Sequence, residues 1–438
     1  MNAEVRRILE LAWPTSLGML AFMGLNVVDT ICVGQLGELP QAGVAAANGW
    51  GLSGAVLTIG AVRAMEPMVS QAHGEGDRQA GGQALLRMLA LCLPLSAIAL
   101  GWYLLAVPGL RALGQPEGVL PHAGRYAAII GLSWPPILVM HSIRTFLQAI
   151  GKVKPAMVVA VVGIFAKIPL NLLLMRGWGP VPALGVAGVA WASVAVEGLL
   201  LGLLVLAAWP VLKEYWPERP DFSVRPILRL AGLGVPLGIQ MGTEFWAFAS
   251  TSMMMGWISE RAMAAHTVAM NLASVSFMLP LGVSTAAAAR VGHLLGAGED
   301  WGRAARAALA VGVCTQLLSG LLFSFGGAVL VMPYSSEPDV RTLAASLLPI
   351  AATFQLFDGM QVIGFGILRG AGDVRMPTIA NLLGYYVIAL PLCWFFGVHQ
   401  GGGPTAIWWG LSLGLAVVAG TLLLRIRHVH ARGGVRLR

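Results

Sequence analysis

The sequence predicts an all-α membrane protein with twelve transmembrane helices in two six-helix bundles related by an internal repeat. Three observations lead to this fold class. The chain has 438 residues, of which 57% are hydrophobic and 11% charged, and its mean hydropathy is +0.76. A soluble protein carries about 25% charged residues. Apolar runs fill nearly the whole chain, and the second half repeats the spacing of the first.

A transmembrane helix needs about 20 predominantly apolar residues. Proline, glycine and charged residues separate twelve such runs, with approximate bounds 11–36, 43–71, 84–108, 123–150, 155–176, 184–210, 226–256, 262–290, 303–332, 340–369, 376–397 and 404–426. The first run is too long for a cleaved signal peptide and lacks a small-residue cleavage site. Prolines inside the runs are expected to interrupt their helices; they are Pro135, Pro136, Pro236, Pro280 and Pro391.

The distribution of positive charge predicts the orientation, because short cytoplasmic loops are enriched in lysine and arginine. One set of alternate loops, which includes both termini, holds Arg6, Arg7, Arg78, Arg87, Lys152, Lys154, Lys213, Arg219, Arg225, Arg229, Arg303, Arg306, Arg375, Arg425, Arg427, Arg432, Arg436 and Arg438. The opposite loops hold only Arg111, Arg125, Arg176, Arg261 and Arg341. Both termini are therefore predicted to be cytoplasmic.

The two halves of the chain repeat at a nearly fixed offset. Pro14 and Pro236 lie 222 positions apart (236 − 14), and the same shift relates Gly60 to Gly282 and Gly74 to Gly296. We therefore expect an N-terminal six-helix bundle at 1–210, a cytoplasmic linker at 211–225, and a C-terminal six-helix bundle with a short basic tail at 226–438. Transporters built from such repeats place substrate and ion sites near the bilayer midplane.

Several function classes are not expected. The net charge of +8 could suggest a nucleic-acid-binding protein, but the cations lie in short loops and form no single patch. Cys32, Cys92, Cys314 and Cys393 all lie in apolar runs without CxxC spacing, which favours packing over a disulfide or zinc site. The chain has no HExxH or GxSxG motif, so an intramembrane enzyme is disfavoured. We expect no cofactor and no nucleic-acid partner.

Two acidic residues stand out because they lie deep inside long apolar runs. Glu244 lies in the run QMGTEFWAFASTSMMMGW, and Asp358 lies in LLPIAATFQLFDGMQVIGFGI. A third, Asp29, lies in the first run. A carboxylate at membrane depth costs about 2.5–3.5 kcal/mol on insertion scales and usually marks an ion or substrate pathway. A buried carboxylate either takes up a proton or binds a cation through its oxygens.

Several motifs resemble the MATE (multidrug and toxic compound extrusion) family of transporters, particularly its NorM-like branch. The resemblance covers nearly the whole chain, and the order of the motifs makes it specific. They are P-x14-D-T-x3-G-Q-L-G from Pro14, E-P-x-V-S-Q-A-x-G at 66–74, G-T-E-F-W at 242–246, A-A-H-T-V-A-M-N at 264–271, R-V-G-x-x-L-G-A-G at 290–298, and F-Q-x-x-D-G-x-Q-x-x-x-x-G-x-L-R-G-x-G-D at 354–373. The resemblance implies antiport, in which Na⁺ or H⁺ entering the cell drives amphipathic, often cationic, organic compounds out by alternating access.

The resemblance also implies roles for individual residues. Glu244 and Asp358 match the acidic residues used for cation coupling in the C-terminal half, with Na⁺ as one possible ligand. Asp29 and Asn171 match the acidic site of the N-terminal half, and Ser193 could add a hydroxyl. Lys167 lies one turn before Asn171, so Asp29 is expected to be either free or paired with Lys167. The pocket near Glu244 and Asp358 is expected to bind substrate through Phe245, Phe357 and Gln361.

Some alternatives remain open at the level of sequence. A flippase for lipid-linked precursors shares a related architecture, but its cavity would need several basic residues, and only Arg63 and Lys167 are expected at depth. Na⁺ and H⁺ coupling use the same carboxylates, so the sequence leaves the coupling ion open. One twelve-span chain is enough to form a pathway, which predicts a monomer. We expect it in a bacterial inner membrane.

Overall fold

The computed structural model describes residues 2–177, 179–180 and 182–437, and the predicted loop cation Arg438 lies outside this range. Every regular element in these ranges is helical. The helices are α1 (Asn2–Gly34), α2 (Glu38–Val62), α3 (Met65–Glu75), α4 (Arg78–Leu104), α5 (Ala106–Ala112), α6 (Leu120–Ile130), α7 (Trp134–Ala149), α8 (Lys154–Arg176), α9 (Val186–Tyr215), α10 (Val224–Ile258), α11 (Glu260–Ala297), α12 (Gly302–Leu330), α13 (Pro338–Gly370), α14 (Arg375–Leu382), α15 (Leu390–Leu392) and α16 (Gly403–Ala431).

Eleven candidate spans among the described residues are long and apolar enough to cross a membrane. The predicted seventh span, 226–256, is helical as α10 but is not one of the eleven. Gln240, Thr243 and Glu244 lower the hydropathy of this helix. The count of twelve crossings therefore stays a prediction. Large apolar side chains such as Leu93, Leu206 and Phe325 are 77%, 73% and 86% exposed, as expected where a span faces lipid.

Prolines interrupt only some of the predicted helices. A 3₁₀ turn at Gly131–Ser133 separates α6 from α7 next to Pro135 and Pro136. Two π-helical segments, Leu383–Ala389 and Cys393–His399, flank the short α15 that contains Pro391. The prediction was wrong for Pro236 and Pro280, because α10 and α11 continue through them. Membrane helices tolerate proline where neighbouring groups and small adjustments satisfy the freed carbonyl.

The helix ends follow the local sequence. Asp77 caps α4 by accepting from the Ala80 amide at 2.9 Å, and Ser259 caps α11 by accepting from the Ala262 amide at 3.0 Å. Such side chains satisfy amides that have no partner within the helix. Gly298 ends α11 in the left-handed conformation, with φ of 75°, which residues with a Cβ rarely adopt.

Contacts divide the chain into two compact units. The C-terminal unit contains the described residues up to Ser16, His73–Gly76, and the chain from Ile239 onward. The N-terminal unit contains Leu17–Ala72 and Asp77–Gly238. Both α1 and α10 therefore contribute one part to each unit. The boundaries predicted at 210 and 226 stay a prediction.

Close helix packing builds the C-terminal unit. Its interior combines α11, α12, α13 and α16 around buried alanine, valine and leucine side chains. A Cβ at Gly366 of α13 would lie 2.2 Å from the Ser284 carbonyl oxygen of α11. Ser284 Oγ donates to the Val362 carbonyl at 2.6 Å. Small residues let the two backbones approach, as is usual where membrane helices associate without a hydrophobic driving force.

The segment between α9 and α10 is tied to α4 within the N-terminal unit. Asp221 accepts from the backbone amide and the hydroxyl of Ser223, and Arg87 Nη2 donates to Asp221 Oδ2 at 2.6 Å. The hydrogen bonds from Ser223, and to a smaller extent the one from Arg87, lower the pKa of the Asp221 carboxyl to about 2. The Gln83 side chain also bonds the Asp221 backbone. The polar segment predicted as a linker is therefore ordered by specific contacts.

Candidate functional site

The two acids that the sequence singled out in the second half lie together in the C-terminal unit. Glu244 is half-buried on α10, and Asp358 is buried on α13. They are close enough for the charge of Glu244 to act on Asp358. Asp358 Oδ1 is buried and accepts no hydrogen bond from any described residue. This oxygen is therefore free to bind a proton or a cation.

One helical turn after Asp358, Gln361 begins a series of hydrogen bonds that links α13, α14 and α10. Gln361 Nε2 donates to Asn381 Oδ1 at 3.3 Å, and Asn381 Nδ2 donates to the Gln240 carbonyl at 3.2 Å. Asn381 therefore joins three helices. Tyr385 lies one turn later, in the first π-helical segment, within electrostatic reach of both Glu244 and Asp358. Its hydroxyl is buried and lies within reach of the Gln361 side chain.

Aromatic rings form one side of this region. Phe248 packs edge to face against Phe354 and Tyr385, with ring centroids 6.0 and 5.8 Å apart. Phe354 also packs against Trp408 at 5.4 Å. Edge-to-face pairs of this kind are favourable and keep their rings in defined orientations. The acids therefore lie beside an apolar, aromatic surface.

The predicted substrate-binding residues lie in different environments. Phe245 is half-buried on α10 next to Glu244. Phe357 is half-buried and packs against the apolar cluster that contains Phe354 and Trp408. Gln361 is fully buried and bonded to Asn381. In this conformation Gln361 orders the polar region around the acids and has no exposed surface.

This arrangement suits proton or hard-cation chemistry. Asp358 Oδ1 is buried without a partner in the described structure, and Gln361 Oε1 and the Tyr385 hydroxyl are two further buried oxygens close by. Within the residues described, no three His, Cys, Asp or Glu side chains form a metal-binding group. A cation here would therefore need amide or hydroxyl oxygens in addition to the two carboxylates, which is the oxygen-rich coordination that hard cations take.

A second buried acid lies in the N-terminal unit, where α1, α8 and α9 meet. Asn171 Nδ2 donates to Asp29 Oδ1 at 2.8 Å, and Lys167 Nζ lies 3.0 Å from Asp29 Oδ2. Ser193 Oγ accepts from Lys167 at 2.7 Å and lies 3.1 Å from Asp29 Oδ2. The structure thus brings the residues predicted for this half together. It also shows that Asp29 is paired with Lys167.

The ion pair changes what this site can bind. The Asp29 and Lys167 side chains are only 11% and 4% exposed, so the ammonium neutralises the carboxylate in a region poor in water. A metal cation approaching Asp29 would be repelled by the positive charge of Lys167, which already occupies the site.

The sequence interpretation missed two charged residues near this site. Glu197 on α9 is half-buried, and the charges of Lys167 and Asp29 reach it. Arg144 on α7 lies with Nη2 3.1 Å from His141 Nδ1 and its guanidinium 4.9 Å from the centroid of the Phe22 ring. Both interrupt long apolar runs, so the criterion that identified Glu244 would also have found them.

Comparisons with known proteins agree with this architecture. The MatE family model matches residues 14–173 and 236–395. The two matches begin at Pro14 and Pro236, the pair from which the repeat offset was measured. The structure is similar to the crystal structure of the eukaryotic MATE transporter AtDTX14, with a TM-score of 0.86 and 21% identity, over 98% of this chain and 99% of that one. Similarity at this identity shows the fold.

Curated bacterial proteins are similar over nearly their full length. The chain is 36% identical to "Probable multidrug resistance protein NorM" of Burkholderia pseudomallei (strain K96243) over 439 residues, covering 97% of this chain and 93% of that protein. It is 31% identical to "Multidrug resistance protein PmpM" of Pseudomonas aeruginosa over 446 residues, covering 97% and 92%. The chain is therefore a multi-pass inner-membrane transporter and not an enzyme, and it belongs to the MatE family of multidrug and toxic compound extrusion proteins.

Proposed function

We propose that this protein is a cation-coupled antiporter that exports amphipathic, often cationic, organic compounds by alternating access. Its relatives NorM and PmpM are named multidrug resistance proteins, which supports this substrate class. The observation that carries the proposal is the pair Glu244 and Asp358. Two carboxyls within electrostatic reach, one with a buried free oxygen, are costly in a membrane unless they bind something.

Coupling follows from the charge of this pair. A proton or Na⁺ that binds at Asp358 and Glu244 removes negative charge from a region beside an aromatic surface. An organic cation gains from the same negative charge, so the two ligands compete. When inward-moving cations displace the organic compound on the outer side, their gradient drives its export. Differential binding of this kind is what moves a two-state transporter between its conformations.

The remaining site residues have proposed roles that follow from their positions. Phe245 and Phe357 are proposed to contact substrate through their exposed ring surface. Gln361 is proposed to contact substrate only after its bond to Asn381 opens. Asp29 and Asn171 are proposed to couple to protons, because Lys167 already neutralises Asp29. Na⁺, if it is the coupling ion, is expected at Glu244 and Asp358.

Gradient-driven uptake into everted membrane vesicles tests the proposal. A fluorescent cationic dye is followed under either a Na⁺ gradient or a pH gradient, with wild type, Glu244→Gln and Asp358→Asn. We expect one gradient to drive uptake in the wild type and both variants to fall to background. Matched controls are Glu260→Gln and Asp339→Asn, which change exposed acids at the starts of α11 and α13 and should keep full uptake. Folded wild-type protein without uptake under either gradient would contradict the proposal.

A further inference from the structure

Glu197 is an acidic residue that the proposed coupling sites do not use. It is the only charged residue between Arg176 and Lys213, in the apolar run of α9. Its Oε2 is buried and receives no hydrogen bond from the described residues. The charges of Lys167, Asp29 and Arg144 all reach it. A carboxyl placed here at a cost to insertion calls for a partner in some state of the protein.

Along the paired helices α8 and α9, Lys167 lies between the level of Asn171 and the level of Glu197. These antiparallel helices pack closely at Leu174 and Gly188, where a Cβ on the glycine would lie 2.2 Å from the Leu174 carbonyl oxygen. Lys167 contacts Ser193 further along. Beyond it, a Cβ at Gly163 would lie 2.7 Å from Leu200 Cδ2.

Glu197 therefore lies between the level of Ser193 and the level of Leu200. It follows Ser193 by one helical turn, which is a rise of about 6 Å. Lys167 consequently has a carboxyl on each side. It binds Asp29 at 3.0 Å in this conformation, and Glu197 lies one turn away in the other direction. A lysine has a flexible four-carbon chain and three rotatable donors, so its ammonium can change partner without backbone movement.

We propose that Lys167 is a tethered cation that exchanges between Asp29 and Glu197, so that a proton taken up by Asp29 is matched by a proton released from Glu197. A buried carboxyl oxygen without a donor is poorly stabilised as an anion. Glu197 therefore keeps its proton while Lys167 is bound to Asp29.

The step balances in atoms and charge. The Asp29 carboxylate forms an O–H bond with an incoming proton and no longer holds the ammonium. Lys167 stays protonated and moves its N–H donors to Glu197. The Glu197 O–H bond breaks, its proton leaves, and the carboxylate pairs with the ammonium. The site gains one proton and loses one, and its net charge is unchanged.

Other ionisable groups face this network from neighbouring helices. Those whose charges or hydrogen bonds reach Asp29, Lys167 or Arg144 are Cys32, Arg63, Tyr126 and His141. Two positive charges oppose the proposal because they favour an ionised Glu197: that of Lys167, which is paired with Asp29 in this conformation, and that of Arg144. The Nη2 of Arg144 is engaged with His141 and its guanidinium lies over Phe22, while Glu197 Oε2 receives no hydrogen bond from the described residues. The test therefore asks directly whether Glu197 carries a proton.

Infrared difference spectroscopy of the protein in lipid nanodiscs at neutral pH answers this question. Subtracting the Glu197→Gln spectrum from that of wild type should give the C=O stretch of a protonated acid. The same band should be lost in Asp29→Asn, although Glu197 is present, because Lys167 then pairs with Glu197. It should return in Asp29→Asn/Lys167→Gln, where no ammonium remains. As a control, Glu75→Gln removes an exposed acid and should give only carboxylate bands.

Two results would overturn the exchange: carboxylate bands for Glu197 in wild type, or an acid band that persists in Asp29→Asn. If Glu197→Gln does not fold, Glu197→Asp should shift the acid band to another frequency instead of removing it. The inference rests on the proposed antiport, but the infrared readout needs no transport. Dye uptake without the acid band would refute the lysine exchange alone, and the expected bands without dye uptake would refute antiport alone.

Discussion

The ion pair between Asp29 and Lys167 makes a quantitative prediction about stability. Nζ and Oδ2 lie 3.0 Å apart, and the two side chains are only 4% and 11% exposed. Lys167→Met alone leaves the buried Asp29 charge without its partner, which costs about 3–5 kcal/mol. Asp29→Asn alone should cost less, because the ammonium of Lys167 can then pair with Glu197. Asp29→Asn/Lys167→Met removes both charges, and such replacements are often neutral or stabilising. In the double variant the amide oxygen introduced at position 29 can still accept from Asn171. The coupling energy is therefore expected to be about 3 kcal/mol or more.

A double-mutant cycle measures this coupling. The free energy of unfolding is obtained by titrating the purified protein in mixed micelles with a denaturing detergent. The exposed pair Arg6 and Glu10, 2.8 Å apart with side chains 82% and 58% exposed, provides the matched control. Its coupling should be about 0.3–0.5 kcal/mol. The reasoning is refuted if Lys167→Met costs less than about 1 kcal/mol and the effects of the two single changes add.

Three further predictions concern packing, pH and buried polar contacts. Gly366→Ala should lower the free energy of unfolding by about 1–3 kcal/mol, because the new Cβ would lie 2.2 Å from a backbone oxygen. Gly420→Ala is the control and should leave the free energy of unfolding unchanged, because a Cβ there meets nothing within 4 Å. Asp221→Asn should lower the melting temperature at neutral pH. The folded-state pKa of Asp221, about 2, lies below its ordinary value of 3.8, so the carboxylate stabilises the protein above that value and the effect disappears as the pH falls toward 2; an equal effect at every pH would contradict this. Gln355→Leu should lower the free energy of unfolding by roughly 2 kcal/mol in the same titration, because a hydrogen bond within a membrane contributes about 0.6 kcal/mol and three are lost. Gln355 bonds Ser276 at 2.6 Å, Gln316 at 3.2 Å and the Ala273 carbonyl at 3.3 Å. An unchanged free energy of unfolding would contradict this prediction.

Much of the helical architecture could be predicted because apolar runs and their punctuation are local signals. The predicted span 155–176 coincides with α8 to within one residue, and the span 226–256 lies within α10. The behaviour of Pro236 and Pro280 could not be predicted in this way. Whether a proline breaks a membrane helix depends on what neighbouring helices offer its freed carbonyl, which is a tertiary property.

The candidate sites show the same division between local and long-range information. Glu244, Asp358 and Asp29 could be identified because each breaks an apolar run. Lys167 could be named as a possible partner of Asp29, but the sequence left open whether Asp29 is free or paired, because Lys167 reaches it from another helix, 138 positions along the chain (167 − 29). Tyr385 joins the acids through a π-helical segment, whose hydrogen-bond register the apolar pattern does not reveal. Such segments are frequent at functional sites.

The central claim of coupled antiport is tested most directly by running the coupling in reverse. Purified protein is reconstituted in liposomes without any ion gradient, a dye gradient is imposed, and the movement of Na⁺ and H⁺ is recorded with ion-sensitive probes. Linkage requires that a dye gradient drive the coupling cation in the opposite direction. The account predicts this flux in wild type and Asp339→Asn and its loss in Asp358→Asn. Dye movement without cation flux in wild type, or a flux unchanged by Asp358→Asn, would contradict it.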